Sequence, residues 1–102
     1  MALNLGHLID ILEKQDPDRV VPFGFNNPHS YRGFYDQLAF EPAKHTTVLE
    51  MLMAAKSALG KTFQGWKGGE FTMDSGTECW IAVRGETSYD PMSEILFRYM
   101  FL

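Results

Sequence analysis

The sequence predicts an α+β fold, with a mainly antiparallel sheet of about four to five strands and two helices packed on one face of that sheet. Two segments carry apolar residues at helical spacing. Several shorter segments are rich in β-branched and aromatic residues and are bounded by glycine, proline or asparagine. The length of 102 residues suits a single compact domain, residues 1–102.

The first predicted helix covers residues 3–15 and ends before Asp16-Pro17. An extended segment at 19–25 follows. Pro22 lacks the N–H that a strand ladder needs, and this places the segment at an edge of the sheet. Asn26-Asn27-Pro28 is then predicted to turn the chain. The apolar stripe of the helix is formed by Leu5, Leu8, Ile9 and Leu12.

A strand is predicted at 36–41 and ends at Pro42. The second helix begins at Thr47, because Thr47 and Glu50 have the spacing of a capping box. It ends near Gly60, a residue typical of the position just after a helix. Its buried face is predicted to consist of Val48, Leu52, Ala55 and Leu59.

The second half of the chain is predicted to contain a hairpin. Residues 71–73 and 77–84 would pair across the turn at 74–76. The segment 79–83 is almost wholly apolar, which favours a central position in the sheet. The tail at 95–102 is predicted as a strand, with a helix as the alternative.

Charge and cysteine content limit the possible partners and compartment. The formal net charge is −4 and the pI is about 5.2, which argues against general nucleic-acid binding. The single cysteine, Cys79, excludes an internal disulfide and favours the reducing cytoplasm. The first residues lack the basic start of a signal peptide, and no apolar segment is long enough to span a membrane.

The first candidate binding cluster lies in a short aromatic-rich segment. It combines a planar guanidinium, which suits phosphate or carboxylate, with rings that can stack a flat ligand. The alternative is structural: the arginine pairs with a nearby carboxylate to brace the loop, and the tyrosines cover the core. The cluster consists of His29, Tyr31, Arg32, Tyr35 and Asp36.

The second candidate cluster contains adjacent glycines beside a lysine and a tryptophan. Such glycines allow backbone N–H groups to turn toward one anion, although a plain tight turn is the alternative. The residue order is not that of a P-loop. We expect the two clusters to flank one cleft. This second cluster consists of Trp66, Lys67, Gly68, Gly69 and Glu70.

Catalytic, metal and cofactor signatures are not expected. His7, His29, His45 and Cys79 do not have the spacing of zinc ligands. No nucleophile elbow is present, and His29 with Asp36 has no further support as an acid–base pair. We therefore predict a protein that binds without catalysis, without a metal and without a cofactor.

Two runs of the sequence resemble a known group. HSYRGFYDQLAFEP at 29–42 and FQGWKGGEFTM at 63–73 are similar to sequences of short, uncharacterised proteins encoded by bacteriophages and prophages. The resemblance covers about residues 20–100. It implies an early or accessory role in the cytoplasm of a host cell, and it supplies no catalytic residues.

The expected function is the binding of a small anionic or nucleotide-like ligand, with sequestration of a nucleotide-derived host signal as one form. Rings would stack the ligand, cations and glycine N–H groups would hold phosphate oxygens, and Asp36 or Glu70 would accept from sugar hydroxyls. A homo-oligomer is expected, since a small monomer offers little depth for a pocket. The alternatives are an inhibitor or adaptor that binds a host enzyme, and a small nucleotide hydrolase or transferase.

Overall fold

The computed structural model describes residues 3–31, 34–64, 68–81 and 90–91. Its two helices are α1 (Leu5–Glu13) and α2 (Val48–Ala58). Its strands are β1 (Leu3–Asn4), β2 (Val20–Tyr31), β3 (Phe34–Thr47), β4 (Thr62–Gln64), β5 (Glu70–Thr72), β6 (Glu78–Ile81) and β7 (Asp90–Pro91).

The main sheet has the strand order β1-β6-β3-β2, and β7 also pairs with β6. The β2–β3, β1–β6 and β6–β7 pairs are antiparallel, whereas β3 and β6 run parallel. Strands β4 and β5 form a separate antiparallel pair. The predicted α+β class, with a mainly antiparallel sheet, is confirmed.

Both helices pack on one face of the main sheet. The register pairs Leu38 with Cys79 and Phe40 with Ile81, so these four side chains point to the same face. All four are buried in one cluster with residues of both helices. The helical members of this cluster are Leu5, Leu8, Ile9, Leu12, Val48, Met51, Ala55 and Ala58.

The opposite face of the sheet carries a smaller apolar cluster. Ala39 and Trp80 are register partners and alternate with the residues of the main core. Tyr31 joins them, with its ring centroid 6.0 Å from that of Trp80. The indole Nε1 of Trp80 donates to Gln37 Oε1 at 2.6 Å, which satisfies its polar edge.

Helix α1 confirms the predicted apolar stripe. Leu5, Leu8, Ile9 and Leu12 are buried, while His7 is exposed as its position on the helix requires. The helix begins two residues later than predicted, because the side chain of Asn4 caps it by accepting from the backbone N–H of His7.

Helix α2 confirms the predicted capping box between Thr47 and Glu50. The predicted buried face is partly wrong. The helix ends at Ala58, and Leu59 leaves helical geometry with ψ of 121° and remains 47% exposed. Met51 takes a place in the core, whereas Leu52 is half-buried.

The predicted turn at Asn26-Asn27-Pro28 is wrong. β2 continues through it to Tyr31, and the register shifts between Asn26 and Pro28. The extra residue is accommodated as a β-bulge, so the turn-forming sequence bends a strand without ending it. Among the strands that the structure describes, β2 is the last in the sheet order, which confirms the predicted edge position.

The predicted end of a strand at Pro42 is also wrong. β3 continues to Thr47, and Pro42 is paired with Phe25 of β2. On its other side, β6 pairs with β3 only at Leu38–Phe40. In the sheet as described, Pro42 therefore has a strand neighbour on one side, and the N–H it lacks is not needed on the other.

The predicted hairpin between 71–73 and 77–84 is wrong as well. β5 pairs with β4, a strand that the sequence did not indicate, and β6 pairs with β3 and β1. The predicted central position of β6 is confirmed. Residues 82–89 and the tail 92–102 lie outside the described residues.

In the ranges that the structure describes, neither helix has the length and apolar character that crossing a bilayer requires.

Candidate functional site

The bulge in β2 places Asn27 in an uncommon backbone conformation. Its φ is 47°, in the left-handed region that asparagine tolerates better than most residues. Its side-chain Nδ2 donates to Glu41 Oε2 on the neighbouring strand at 3.1 Å. Bulges often redirect side chains next to functional sites. Here the bulge brings the amide of Asn27 within hydrogen-bond distance of the Glu41 carboxylate.

The same bulge orients His29. The ring Nδ1 lies 3.1 Å from the backbone oxygen of Asn27. A carbonyl can only accept, so this contact assigns the hydrogen to Nδ1. Asn27 therefore contacts the carboxylate of Glu41 through its side-chain amide and the ring of His29 through its backbone carbonyl.

These residues border a hollow of about 370 Å³ between the bulge and the end of α2. We call it the bulge hollow. Its volume lies within the range of small-molecule sites. It is lined by Asn27, Pro28, His29, Glu41, Ser57 and Lys61.

The chain that follows α2 holds the lysine of this hollow. Gly60 has a φ of 78°, which reverses the chain after the helix. The backbone oxygen of Lys61 accepts from Met73 at 3.0 Å, and its N–H donates to Ala58 at 3.1 Å. The ammonium of Lys61 lies 5.1 Å from the ring centroid of Phe63, a cation–π contact. Lys61 is thus anchored at the backbone while its charge remains exposed.

The bulge hollow carries both donors and acceptors. Lys61 supplies one positive charge and Glu41 one negative charge. The hydroxyl of Ser57 donates to Ala54 at 2.7 Å, so toward the hollow it offers lone pairs. A ligand that fits this lining needs an anionic group for the lysine and hydrogen-bond donors for the other groups.

A second hollow, of about 400 Å³, has a different character. We call it the acidic hollow. The carboxylates of Asp36, Asp74 and Glu78 line it and disfavour the binding of an anion. Two of its residues form a tight turn, in which Asp74 Oδ1 accepts from the N–H of Gly76 at 2.9 Å. It is lined by Asp36, Gln37, Thr72, Asp74, Gly76, Thr77 and Glu78.

The described members of the first predicted cluster lie in three places. His29 lines the bulge hollow, and Asp36 lines the acidic hollow. Tyr31 is only 2% exposed and packs with Trp80, which matches the alternative in which the tyrosine covers the core. Arg32 lies outside the described residues, and of Tyr35 the structure describes the backbone alone. Whether Arg32 binds a ligand or braces the loop stays open.

The second predicted cluster is described at its last three positions. Gly68 and Gly69 have φ values of 100° and 86°, and both are exposed. Glu70 begins β5 opposite Gln64. Glycine adopts both φ values readily, in a tight turn or in a loop that turns its N–H groups toward an anion. Trp66 and Lys67 lie outside the described residues.

The predicted convergence of the two clusters stays a prediction. Asp36 and Thr72 line the same hollow, so the start of β3 lies near β5. Of the aromatic and basic residues on which that prediction depends, Arg32, Trp66 and Lys67 lie outside the described ranges. The described cation of the bulge hollow is instead Lys61, which the sequence analysis did not select.

Cys79, the single cysteine, is buried beneath the helices. Burial raises the pKa of its thiol to about 12. A protonated, enclosed thiol is neither a nucleophile nor a metal ligand. In the part of the chain that the structure describes, no group of three or more His, Cys, Asp or Glu side chains is placed to hold a metal ion.

Comparison of the chain with models of protein families, with curated proteins and with solved structures found no match.

Proposed function

We propose that this protein binds a small anionic, nucleotide-like ligand in the bulge hollow and releases it unchanged. One observation carries the proposal. The bulge of β2, the strand β3 and the end of α2 bring Lys61, Glu41 and His29 to one hollow of about 370 Å³. A few polar groups that converge on one hollow can fix the orientation of a small ligand.

Sequestration suits the chemistry of this lining better than turnover does. The hydroxyl of Ser57 donates to a helix carbonyl and not to a base that would activate it. The resemblance to phage-encoded proteins supports an accessory role in a host cell. In that setting the protein would lower the free concentration of a nucleotide-derived host signal by mass action.

Replacement of Lys61 tests the proposal. Lys61→Ala removes the ammonium that would pair with the anionic group, and a charge-assisted hydrogen bond contributes about 1.5–3 kcal/mol. We expect a loss of affinity of about tenfold or more for a nucleotide identified in a thermal-shift panel of linear and cyclic nucleotides, measured by calorimetry.

Lys44→Ala is the matched control, because Lys44 is also exposed and lies on β3 opposite Phe23. It removes the same charge and should leave the affinity within about twofold. Equal losses of nucleotide affinity in Lys61→Ala and Lys44→Ala would show that the two lysines act through net charge alone. A panel in which no nucleotide raises the melting temperature would refute the proposal.

A second candidate function is binding to a host enzyme. Leu49 and Met53 are one helical turn apart on α2 and are 45% and 63% exposed, although both are large and apolar. Residues of this kind at the centre of an exposed helix face are typical of protein contacts. Retained nucleotide binding in Met53→Asp, with loss of a purified enzyme partner, would favour this second function.

A further inference from the structure

We infer that the bulge hollow recognises the vicinal hydroxyls of a ribose through the carboxylate of Glu41, so that the protein discriminates a ribonucleotide from its 2′-deoxy form. The inference rests on the proposed function, because it specifies the ligand of the same hollow. It follows from how donors and acceptors are distributed over the lining residues.

The carboxylate of Glu41 accepts one hydrogen bond within the protein and can accept more. Its Oε2 accepts from Asn27 Nδ2 at 3.1 Å. A carboxylate has about four lone-pair positions, so this contact leaves positions for further donors. In dinucleotide-binding folds, a carboxylate recognises the ribose by accepting from its hydroxyl group.

At the end of α2, the hollow again offers acceptors, so a ligand must supply hydrogen-bond donors there. Ser57 lies in the last turn, and its hydroxyl hydrogen is directed to Ala54. The end of a helix also carries partial negative charge on its last carbonyl groups. Neutral hydroxyl groups of a ligand can donate to the Ser57 oxygen on this side of the hollow.

The anionic part of the ligand therefore belongs at Lys61. Lys61 and Glu41 have opposite charges, and both line the hollow. A molecule that carries both a phosphate and adjacent hydroxyl groups matches this pair of opposite charges. Ribose phosphate is the common chemical unit with both groups, whether free or part of a nucleotide.

Calorimetry with adenosine 5′-monophosphate and its 2′-deoxy counterpart tests the inference on the full chain. We expect the ribonucleotide to bind about tenfold more tightly, because the deoxy form leaves the charged acceptor without one partner. Glu41→Gln should reduce this ratio to about twofold or less. Glu78→Gln, which changes a carboxylate of the acidic hollow, should keep the ratio of the unchanged protein.

Asn27→Gly provides a second test. It keeps the backbone conformation at the bulge but removes the amide that holds Glu41, so the ratio should fall while the protein stays folded. Equal affinities for the two nucleotides would overturn the inference and leave the proposed function intact. An affinity ratio that is unchanged in Glu41→Gln would also overturn the inference and leave the proposed function intact. Failure of both nucleotides and of ribose 5-phosphate to bind would overturn the inference and the proposed function together.

Discussion

Asn27 shows how one residue couples local backbone geometry to the site. Its positive φ places the extra residue of the bulge, its amide holds Glu41 and its carbonyl holds His29. The sequence Asn26-Asn27-Pro28 signals unusual backbone, which we interpreted as a turn. It could not distinguish a turn from a bulge, because the difference depends on the pairing of β2 with β3.

Substitution of Asn27 should separate backbone strain from loss of the amide. Asn27→Ala loses the contact with Glu41 and also places a β-carbon in the left-handed region, so we expect a loss of unfolding free energy of about 1–3 kcal/mol. The loss of unfolding free energy in Asn27→Gly should be smaller, because glycine adopts this φ without steric cost. Urea denaturation measures both. An alanine variant as stable as the unchanged protein would show that the bulge does not need this conformation.

Cys79 leads to a prediction about pH. Burial raises the pKa of the thiol to about 12, whereas the usual value is 9.0. The unfolded chain therefore loses this proton first, and the contribution of the thiol to stability is present below about pH 9 and is lost as the pH rises toward 12. We expect Cys79→Ala to weaken the fall in stability between pH 8.5 and about 10, measured by urea denaturation. An unchanged dependence of stability on pH in Cys79→Ala would contradict the burial of the thiol.

At the scale of elements, the apolar stripe of α1 and the capping box of α2 were predicted, whereas the strand ends and the strand pairings were not. The capping box of α2 involves residues three positions apart, so it can be recognised in the sequence directly. The pairing of β4 with β5 and the parallel contact of β3 with β6 join distant segments. Short strands such as Thr62–Gln64 carry too few residues for an alternating pattern to be recognised.

Gly24 determines how closely α2 approaches β2. A β-carbon at this position would lie 2.9 Å from Met51 Sδ and 3.0 Å from Thr46 Cβ. We expect Gly24→Ala to destabilise the protein by about 1–3 kcal/mol, because the helix must move away or Met51 must change its rotamer. Thermal unfolding checks this. Gly76→Ala is the control, since its new β-carbon would come no closer than 3.4 Å to Asp74 Oδ1. Equal stability of both variants would contradict the close contact.

For the whole molecule, composition and periodicity were sufficient for the fold class but not for the site. The chain is acidic overall, with a net charge of −4, yet Lys61 places a positive charge beside the bulge. His29 was selected from the sequence. Lys61 and Ser57 were not, because only the packing of α2 against β2 and β3 brings the end of the helix to the bulge. The site is therefore a tertiary feature that no single segment of the sequence displays.

The most direct measurement of the central claim is an NMR titration of the ¹⁵N-labelled protein with adenosine 5′-monophosphate. The account predicts that the largest amide shifts cluster around the bulge hollow, at Asn27, His29, Glu41, Ser57 and Lys61. Shifts centred on the acidic hollow, at Asp36, Thr72, Asp74 and Glu78, would contradict it, and so would spectra that do not change.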